Sequence, residues 1–471
     1  MKKILLTLAF MLVGFFTGVF AQEEQSFVKE TDAAVVKKLD WWQDVKFGLL
    51  MHWGPYSQWG VVESWSICPE DEGWCARSIP EYNEYRRRYE GLKYSFNPVR
   101  FNPDKWAAAA KDAGMKYVVF TTKHHDGFCM FDTKYTDYKI TSLETPFHKN
   151  PKANIAKEIF SSFRKEGLGI GAYFSKPDWH SPDYWAPEFP PLDRNVNYDP
   201  EKYPDRWKKF AQFTYNQIEE LMTGYGSVDI LWLDGGWVRS TKSQTPESLT
   251  WTKRILNQDI NMAGIAGMAR KLQPGLIVVD RSVHGQFENY RTPEQQVPDK
   301  PLPYYWETCM TMANSWSWTY NDKYKPTNKI IHLLIDIVSK GGNFLLNIGP
   351  DPTGDLDDTA YSRLHEIGAW MKVNSQAIYG SRPIEPYKEG KVCFTQGKKG
   401  EVFALYLAEE NEAVPSEIKL ENFQPKTGAV ATLLGGGKVS WKANGKGCVI
   451  ALPASVKKNP PCQHAWVVMF N

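Results

Sequence analysis

The chain has 471 residues, of which 42% are hydrophobic, so it is long enough for a large domain with its own core and a smaller second domain. Its 56 basic and 54 acidic residues give a formal net charge of only +2. That balance gives no reason to expect nucleic acid or an anionic membrane surface as a partner.

The N-terminus has the pattern of a secretory signal. Lys2 and Lys3 precede an apolar run from Ile4 to Phe20, and Ala21 follows as a small residue at the expected cleavage point. We therefore predict that residues 1–21 form a signal peptide. The mature protein is then secreted or periplasmic, with no membrane span after cleavage. An uncleaved anchor is the alternative, although no stop-transfer charges follow the run.

Strand and helix patterns alternate through the long central part of the chain. Six short apolar runs indicate buried strands, at 46–51, 116–122, 168–175, 229–234, 276–281 and 343–348. Amphipathic helices are predicted between them, among them one at 251–272. The alternation predicts an α/β fold, a (β/α)8-like TIM barrel over residues 22–384. Shorter alternating runs after it predict a small antiparallel β-sandwich over residues 385–471.

Seven cysteines are scattered along the chain without the regular spacing of a metal site. Because the number is odd, at least one thiol must stay free. Cys68 and Cys75 form the only close pair that an oxidising compartment could bridge. Nothing in the sequence indicates a cofactor.

Asp234 is the first candidate for catalysis. It ends a buried run and precedes Gly235 and Gly236, with Trp232 and Trp237 on either side. A carboxylate at the C-terminal end of a parallel strand, walled by indole rings, suits attack on the anomeric carbon of a sugar. A turn or helix-capping aspartate is the alternative, since Asp-Gly is a common turn sequence.

A glycosidase that retains configuration needs a second carboxyl group. The segment after Arg281 offers Glu288 and Glu294, and Glu307 follows further on. Position alone does not decide which of the three is the second carboxyl group. The alternative for each is a solvated loop glutamate without a catalytic role.

Six motifs together resemble alpha-L-fucosidases of glycoside hydrolase family 29. They lie in the family's order between residues 40 and 385, and they are His52-Trp53-Gly54, Lys123-His124-His125-Asp126-Gly127-Phe128, Trp232-Leu233-Asp234-Gly235-Gly236-Trp237, Asp280-Arg281, Gly342-Asn343-Phe344-Leu345-Leu346-Asn347-Ile348-Gly349-Pro350 and Ala377-Ile378-Tyr379-Gly380. The resemblance implies a barrel followed by a β-sandwich, as the alternation predicts.

The resemblance also implies residue roles. It makes Asp234 the nucleophile, and the family's Thr-Pro-Glu pattern, here Thr292-Pro293-Glu294, favours Glu294 as acid and base. The positions that it implies for holding the sugar are His52, His124, His125, Tyr173, Trp232, Arg281 and Trp318.

Two points of this resemblance need separate mention. Many relatives carry Glu-Trp-Tyr in the first long loop, where this chain reads Glu72-Gly73-Trp74-Cys75; Trp74 is expected to keep the aromatic wall. A metal at His124 and His125 is the alternative use of those imidazoles. We expect none, because no regular histidine spacing accompanies the pair.

These interpretations predict a retaining exo-alpha-L-fucosidase whose substrate is a fucosylated oligosaccharide or glycoconjugate. Two alternatives remain: a catalytically silent fucose-binding protein, and a related glycosidase for another deoxy- or galacto-configured sugar. Oligomeric state does not follow from the sequence.

Overall fold

A computed structural model describes residues 27–70, 75–252 and 254–471. The predicted signal peptide and Trp74 lie outside the described residues. Within these ranges no helix is both long enough and apolar enough to cross a membrane. All seven cysteines lie within them, and each is a free thiol, Cys68 and Cys75 included.

A parallel sheet forms the centre of the larger part of the molecule. Its strands are buried along almost their whole length, which explains why they read as unbroken apolar runs. In chain order they are Phe47–Met51 (β1), Tyr117–Lys123 (β2), Gly169–Ser175 (β3), Ile230–Asp234 (β4), Ile277–Asp280 (β5), Glu307–Thr311 (β6) and Asn343–Asn347 (β7). Across the sheet the order is β5-β4-β3-β2-β1-β7-β6.

The segment from Glu288 to Gln295 occupies the space between the two edge strands. It bridges β5 through Val279 and Glu288, and β6 through Glu294 and Cys309. The amide of Gln295 donates to the carbonyl of Cys309 at 3.0 Å. This segment therefore takes the place of an eighth strand and closes the sheet into a barrel, as the alternation predicted.

Ten α-helices lie within the described ranges, and several begin at residues suited to cap them. Asn102 and Asn154 accept hydrogen bonds from backbone amides in the first turns of two of them, at 3.2 and 3.4 Å. The helices are Ala33–Val45 (α1), Tyr82–Glu90 (α2), Pro103–Asp112 (α3), Ile155–Lys165 (α4), Pro204–Gly224 (α5), Pro246–Thr252 (α6), Met262–Leu272 (α7), Thr327–Ser339 (α8), Asp358–Asn374 (α9) and Ala454–Lys458 (α10). The single helix predicted at 251–272 is wrong, since α6 and α7 are separate.

The C-terminal part is an antiparallel sheet of eight strands. They are Arg382–Glu389 (β8), Val392–Gln396 (β9), Val402–Leu407 (β10), Glu417–Leu420 (β11), Ala431–Leu433 (β12), Gly437–Asn444 (β13), Gly447–Ala451 (β14) and Ala465–Phe470 (β15). Their order is β11-β14-β13-β12-β15-β10-β9-β8.

This sheet curls until its two edges approach each other. The carboxylate of Glu389, at the end of β8, accepts a hydrogen bond at 3.1 Å from the amide of Asn422, just after β11. Phe394, Ile450 and Val468 lie in the core that the curled sheet encloses. The predicted fold class, a (β/α)8-like barrel followed by a small antiparallel β-sandwich, is confirmed, and the eight strands of the second part follow one continuous order that curls toward a barrel.

The two parts share apolar packing, since Trp370 of α9 and Leu405 of β10 belong to one hydrophobic core, and hydrogen bonds also join them. Trp370 on α9 donates its indole N–H to the carbonyl of Ala465 at 3.0 Å, and the Thr395 hydroxyl donates to the carbonyl of Ala377 at 2.8 Å. The domain division predicted at 384/385 falls inside β8 and stays a prediction.

Candidate active site

A cavity of about 230 Å³ opens at the C-terminal ends of the parallel strands. Enzymes built on parallel barrels place their reactive groups at this face. The lining combines acids, imidazoles, guanidinium groups and indoles, drawn from His52, Glu63, Trp65, His124, His125, Arg194, Trp232, Asp234, Trp237, Trp251, Arg281, Glu294 and Trp316.

Asp234 is the last residue of β4, and its carboxylate is fixed from both sides. The Tyr173 hydroxyl donates to Oδ2 at 2.6 Å, and the Arg281 guanidinium donates to Oδ1 at 3.1 Å. Gly235 follows with a φ of +87°, and a Cβ there would lie 2.2 Å from Pro177. Glycine is therefore required for the chain to turn away directly after the carboxylate.

Asp234 stays ionised. Burial alone would raise its pKa, but the positive charge of Arg281 and the hydrogen bond from Tyr173 act in the opposite direction. Together they hold the pKa of Asp234 well below its usual range. The result is a carboxylate that is available as a nucleophile at neutral pH.

Arg281 connects Asp234 to a second acid. Its guanidinium contacts the Glu294 carboxylate with one terminal nitrogen while the other contacts Asp234. Its Nε donates to the Thr292 hydroxyl at 3.1 Å, which holds the guanidinium plane in place. The Glu294 side chain is 41% exposed, so it can exchange protons with water and with a departing group.

Three buried histidines line the cavity, and each has one ring nitrogen engaged. Nδ1 of His52 pairs with Asn347 at 2.8 Å, and Nδ1 of His125 pairs with Ser175 at 2.8 Å. Burial lowers the pKa of His52 to about 4 and that of His125 to about 3. His124, which is also buried, has a lowered pKa too. All three are therefore neutral at pH 7 and can offer a nitrogen to a hydroxyl group.

The aromatic wall differs in part from the sequence prediction. Trp232 stacks on Tyr173, with ring centroids 5.2 Å apart, and lies beside Arg281. Trp316, and not Trp318, lines this cavity; its ring centroid is 5.2 Å from that of His52. Trp318 lies in a neighbouring cavity.

Glu63 and Trp65 reach the cavity from the first long loop, where sequence reasoning had selected Trp74 instead. The Glu63 carboxylate accepts a hydrogen bond at 2.7 Å from the amide of Ser317 and is 1% exposed. Its backbone φ of +37° is unusual for a residue with a side chain. The only signal for it in the sequence is an acid two residues before a tryptophan.

We expect Glu63 to make the rate of a reaction in this cavity decline at alkaline pH. Burial, followed by the negative charges of Glu294 and Asp234, raises the pKa of Glu63 to about 8. Below that pH the group is neutral; above it a third anion faces the two carboxylates. The value of kcat/KM should therefore fall as pH rises through 8, and Glu63→Gln, which stays neutral, should lose that part of the decline. Identical pH profiles for both proteins between pH 6 and 9.5 would contradict this role.

Arg194 is a second residue that the sequence did not reveal. Its guanidinium lies 4.8 Å from the centroid of Trp65 and 5.5 Å from that of Trp237. Its Nε donates to the buried Glu70 carboxylate at 2.6 Å. This ion pair joins the first long loop to the segment after β3 and fixes both indoles.

The family model for alpha-L-fucosidase matches residues 15–376, most of the chain. The chain belongs to the alpha-L-fucosidase family. Membership places the chain among the glycoside hydrolases. This agrees with a cavity in which the Arg281 guanidinium contacts two carboxyl groups, those of Asp234 and Glu294.

Individual relatives in the alpha-L-fucosidase family align along nearly the whole chain. Human plasma alpha-L-fucosidase is 27% identical over 91% of this chain and 88% of its own length. The structure of alpha-L-fucosidase isoenzyme 1 from Paenibacillus thiaminolyticus has a TM-score of 0.74 at 29% identity, covering 93% of this chain and 99% of that one. A trapped covalent intermediate of a Bacteroides thetaiotaomicron alpha-L-fucosidase with 2-fluoro-fucosyl fluoride has a TM-score of 0.71 at 25% identity, covering 94% and 97%.

The structure places the other two candidate acids of this family member away from the cavity. Glu288 is buried, accepts from the amide of Ser282 at 3.1 Å and pairs with His284 at 2.8 Å. Glu307 begins β6 inside the barrel, where Tyr117 donates to it and burial raises its pKa to about 7. Neither lines the Asp234 cavity, so of these three candidates Glu294 is the one that the fold brings to Asp234.

Among the residues that the structure describes, His124, His125 and Asp234 offer ligand atoms within 4.8 Å of one another, the spacing of a metal site. The Arg281 guanidinium already contacts Asp234 and would repel a cation at that point. The arrangement therefore suits a neutral polar ligand better than a divalent metal.

A buried ion pair holds the chain just before Arg281. The Lys176 ammonium donates to the Asp280 carboxylate and, at 3.0 Å, to the carbonyl of Val238. We expect Asp280→Ala to lower the free energy of unfolding by about 3–5 kcal/mol, because it leaves a buried ammonium without its partner. Lys372→Ala, which removes a side chain that is 63% exposed, is the control and should cost about 0–1 kcal/mol in the same urea titration. Equal losses for both variants would rule out this role for the pair.

Proposed function

We propose that the protein is a retaining exo-alpha-L-fucosidase that removes terminal alpha-L-fucose from oligosaccharides or glycoconjugates. The observation that carries the proposal is the Arg281 guanidinium, which contacts Asp234 and Glu294 together. Retaining glycosidases hold their two carboxyl groups about 5–5.5 Å apart, and inverting ones about 6.5–9.5 Å. Two acids on one guanidinium fit the shorter separation.

In the first step Asp234 attacks the anomeric carbon. The bond to the leaving oxygen breaks, its electron pair stays on that oxygen, and Glu294 supplies the proton. In the second step the Glu294 carboxylate takes a proton from water, and the water oxygen attacks the same carbon. Asp234 leaves as a carboxylate. The relative trapped as a covalent intermediate supports this two-step course.

The remaining groups suit a 6-deoxy sugar. Neutral His52, His124 and His125 each keep a ring nitrogen for a hydroxyl group, while Tyr173 and Arg281 fix the nucleophile. The indole of Trp232, with the other tryptophans of the wall, offers apolar surface to the methyl group and ring carbons. A role for Trp74 in this wall remains a prediction.

We further propose that residues 1–21 direct export, which would bring the enzyme to glycans in the periplasm or outside the cell. The charged, apolar and small-residue parts of that segment support the proposal.

A panel of 4-nitrophenyl glycosides tests the proposed activity against its two rivals. The alpha-L-fucoside should be cleaved at least about 100-fold faster than glycosides of other deoxy- or galacto-configured sugars, because a hydroxyl group buried against the indole wall would lose its hydrogen bonds to water. Binding of fucose without cleavage of any glycoside would instead favour the silent binding protein.

A further inference from the structure

A second cavity lies beside the first at the same rim of the barrel. Its volume is about 300 Å³, the lower end of the range for small-ligand sites. Residues following β6 and β7 form it, including Ser315, Trp318, Tyr320 and Ile348. Nothing in the proposed reaction of fucose uses this space.

Two hydrogen-bonded pairs form the wall between the cavities. Ser317, which lines the second cavity, donates its amide to Glu63, which lines the first. Asn347 lines the second cavity and pairs with His52 of the first at 2.8 Å. A ligand in one cavity is therefore only one side-chain layer away from the other.

Trp318 and Tyr320 form an aromatic corner in the second cavity. Their ring centroids are 4.7 Å apart and their planes meet at 71°. Tyr320 is 61% exposed, yet its hydroxyl is anchored to the carbonyl of Gln58 at 3.2 Å. The backbone of Trp318 packs so closely on Gly349 that a Cβ there would lie 2.4 Å from its nitrogen. The two rings meet at an angle and present flat apolar faces of the kind that pyranose rings stack on.

The surroundings of the corner are polar, and the charged side chains that line the cavity are two carboxylates, Asp322 and Asp357, which both accept hydrogen bonds from backbone amides. Ser315, Thr319 and Asn321 supply hydroxyl and amide groups around the rings. The carboxylate of Asp322 accepts from the amides of Asn314 and Ser315, at 3.1 and 3.0 Å, and so shapes the loop. Aromatic faces with neutral hydrogen-bonding groups suit a neutral sugar better than an anion.

The second cavity adjoins the segment that carries Glu294, the proposed acid and base. Gln295, next to Glu294, donates to the Thr311 hydroxyl at 3.2 Å, and that hydroxyl donates to the carbonyl of Ala313 at 2.7 Å. Ala313 lines the second cavity. Two hydrogen bonds thus link Gln295, the chain neighbour of Glu294, to the edge of the second cavity.

We propose that this second cavity is a leaving-group subsite, in which the Trp318 and Tyr320 corner binds a neutral pyranose residue of the glycan that carries the fucose. The inference rests on the proposed function. It makes the corner a determinant of which fucosylated glycans are preferred, a role separate from holding fucose.

The test compares two substrates within each protein. For the wild type, Trp318→Ala and Tyr320→Ala, kcat/KM is measured on 4-nitrophenyl alpha-L-fucoside and on a fucosylated trisaccharide, and the ratio of the two values is taken. Because the ratio cancels the fraction of folded enzyme, partial misfolding of a variant does not affect it. Both variants should lower the trisaccharide-to-nitrophenyl ratio about tenfold, mainly through KM. Tyr94→Ala removes a tyrosine of similar exposure, 57%, outside both cavities and should leave the ratio unchanged.

Three results would overturn the proposal. An unchanged ratio in both variants means that the corner does not contact the leaving group. An equal loss on both substrates means that it supports the fucose cavity instead. If the ratio is unchanged but calorimetry shows that the variants no longer bind the defucosylated glycan, the cavity binds a glycan that is not the leaving group of the reaction. Failure of the wild type to cleave the nitrophenyl fucoside refutes the proposed function itself and is distinguishable from all three.

Discussion

Replacing Asp234 with glycine is expected to reduce kcat on 4-nitrophenyl alpha-L-fucoside by at least about 10⁴-fold, since no other group can form the covalent intermediate. Among the cavity acids, Asp234 alone is held by both Tyr173 and Arg281. Arg281 keeps its contact with Glu294 in the variant, so the cavity retains a paired guanidinium. Circular dichroism and thermal unfolding should show that the variant is folded.

Azide makes the Asp234→Gly experiment specific. With the carboxylate removed, azide can enter from its side of the ring, opposite the leaving group, and should restore turnover by giving the beta-configured fucosyl azide. Formation of the alpha-configured azide would mean that a different residue is the nucleophile. Activity close to wild type would refute the assignment without any rescue experiment.

The loss of activity on replacing Glu294 with alanine should depend strongly on the leaving group of the substrate. A fucosylated oligosaccharide, whose leaving oxygen needs a proton, should lose about 10³-fold or more in kcat/KM, whereas nitrophenyl fucoside should lose much less at this first step. Hydrolysis of the intermediate also slows because no base activates water. Azide needs no base, so it should accelerate turnover and give the alpha-configured product, the opposite of the Asp234 variant.

Glu288→Gln and Glu307→Gln are the matched controls for Glu294. Both side chains are buried away from the cavity. Their replacement should lower the free energy of unfolding but leave the relative rates on the oligosaccharide and the nitrophenyl fucoside unchanged. Azide rescue in either control variant, and its absence in Glu294→Ala, would transfer the acid and base role to that residue.

The parts of the fold and site that the sequence predicted are those fixed by local pattern. Buried parallel strands appear as apolar runs, and the residue that ends such a run must lie at the barrel rim. Asp234 ends β4 and Arg281 follows β5, so both positions could be predicted without any knowledge of distant contacts.

The missed features depend on contacts between residues far apart in the chain. Glu63 lies in a loop without periodicity, and its direction is set by Ser317, 254 positions later. Trp316 and Trp318 are two residues apart in the same loop, so composition could not distinguish them. Ser317, which lies between the two tryptophans, is hydrogen-bonded to Glu63 in the wall between the cavities. Trp316 therefore lines the first cavity and Trp318 the second.

One strand that lacks a clear apolar run and one wrongly predicted helix have local causes. β6 begins with Glu307, and a charged residue inside a barrel conceals the apolar signal of a strand. The helix predicted at 251–272 ignored Asn261, which has a φ of +59° and caps Met262–Leu272 by accepting from the amide of Gly264. An asparagine before a helical pattern is a start signal that could have been recognised.

The segment that closes the barrel could not be predicted in the same way. It pairs with β5 and β6 through isolated bridges, without a continuous ladder, and contains Pro293, so it has neither alternation nor an apolar run. Its position nevertheless brings Glu294 to the cavity, because Glu294 itself bridges to Cys309 of β6.

Proton NMR of the sugar released in the first minutes of a reaction tests the two-carboxylate account most directly. If Asp234 forms a covalent intermediate that water then attacks with help from Glu294, the first product from an alpha-L-fucoside is alpha-L-fucose, which slowly mutarotates to the equilibrium mixture. Initial release of beta-L-fucose would show a single displacement by water, and would contradict the assignment of Asp234 as nucleophile.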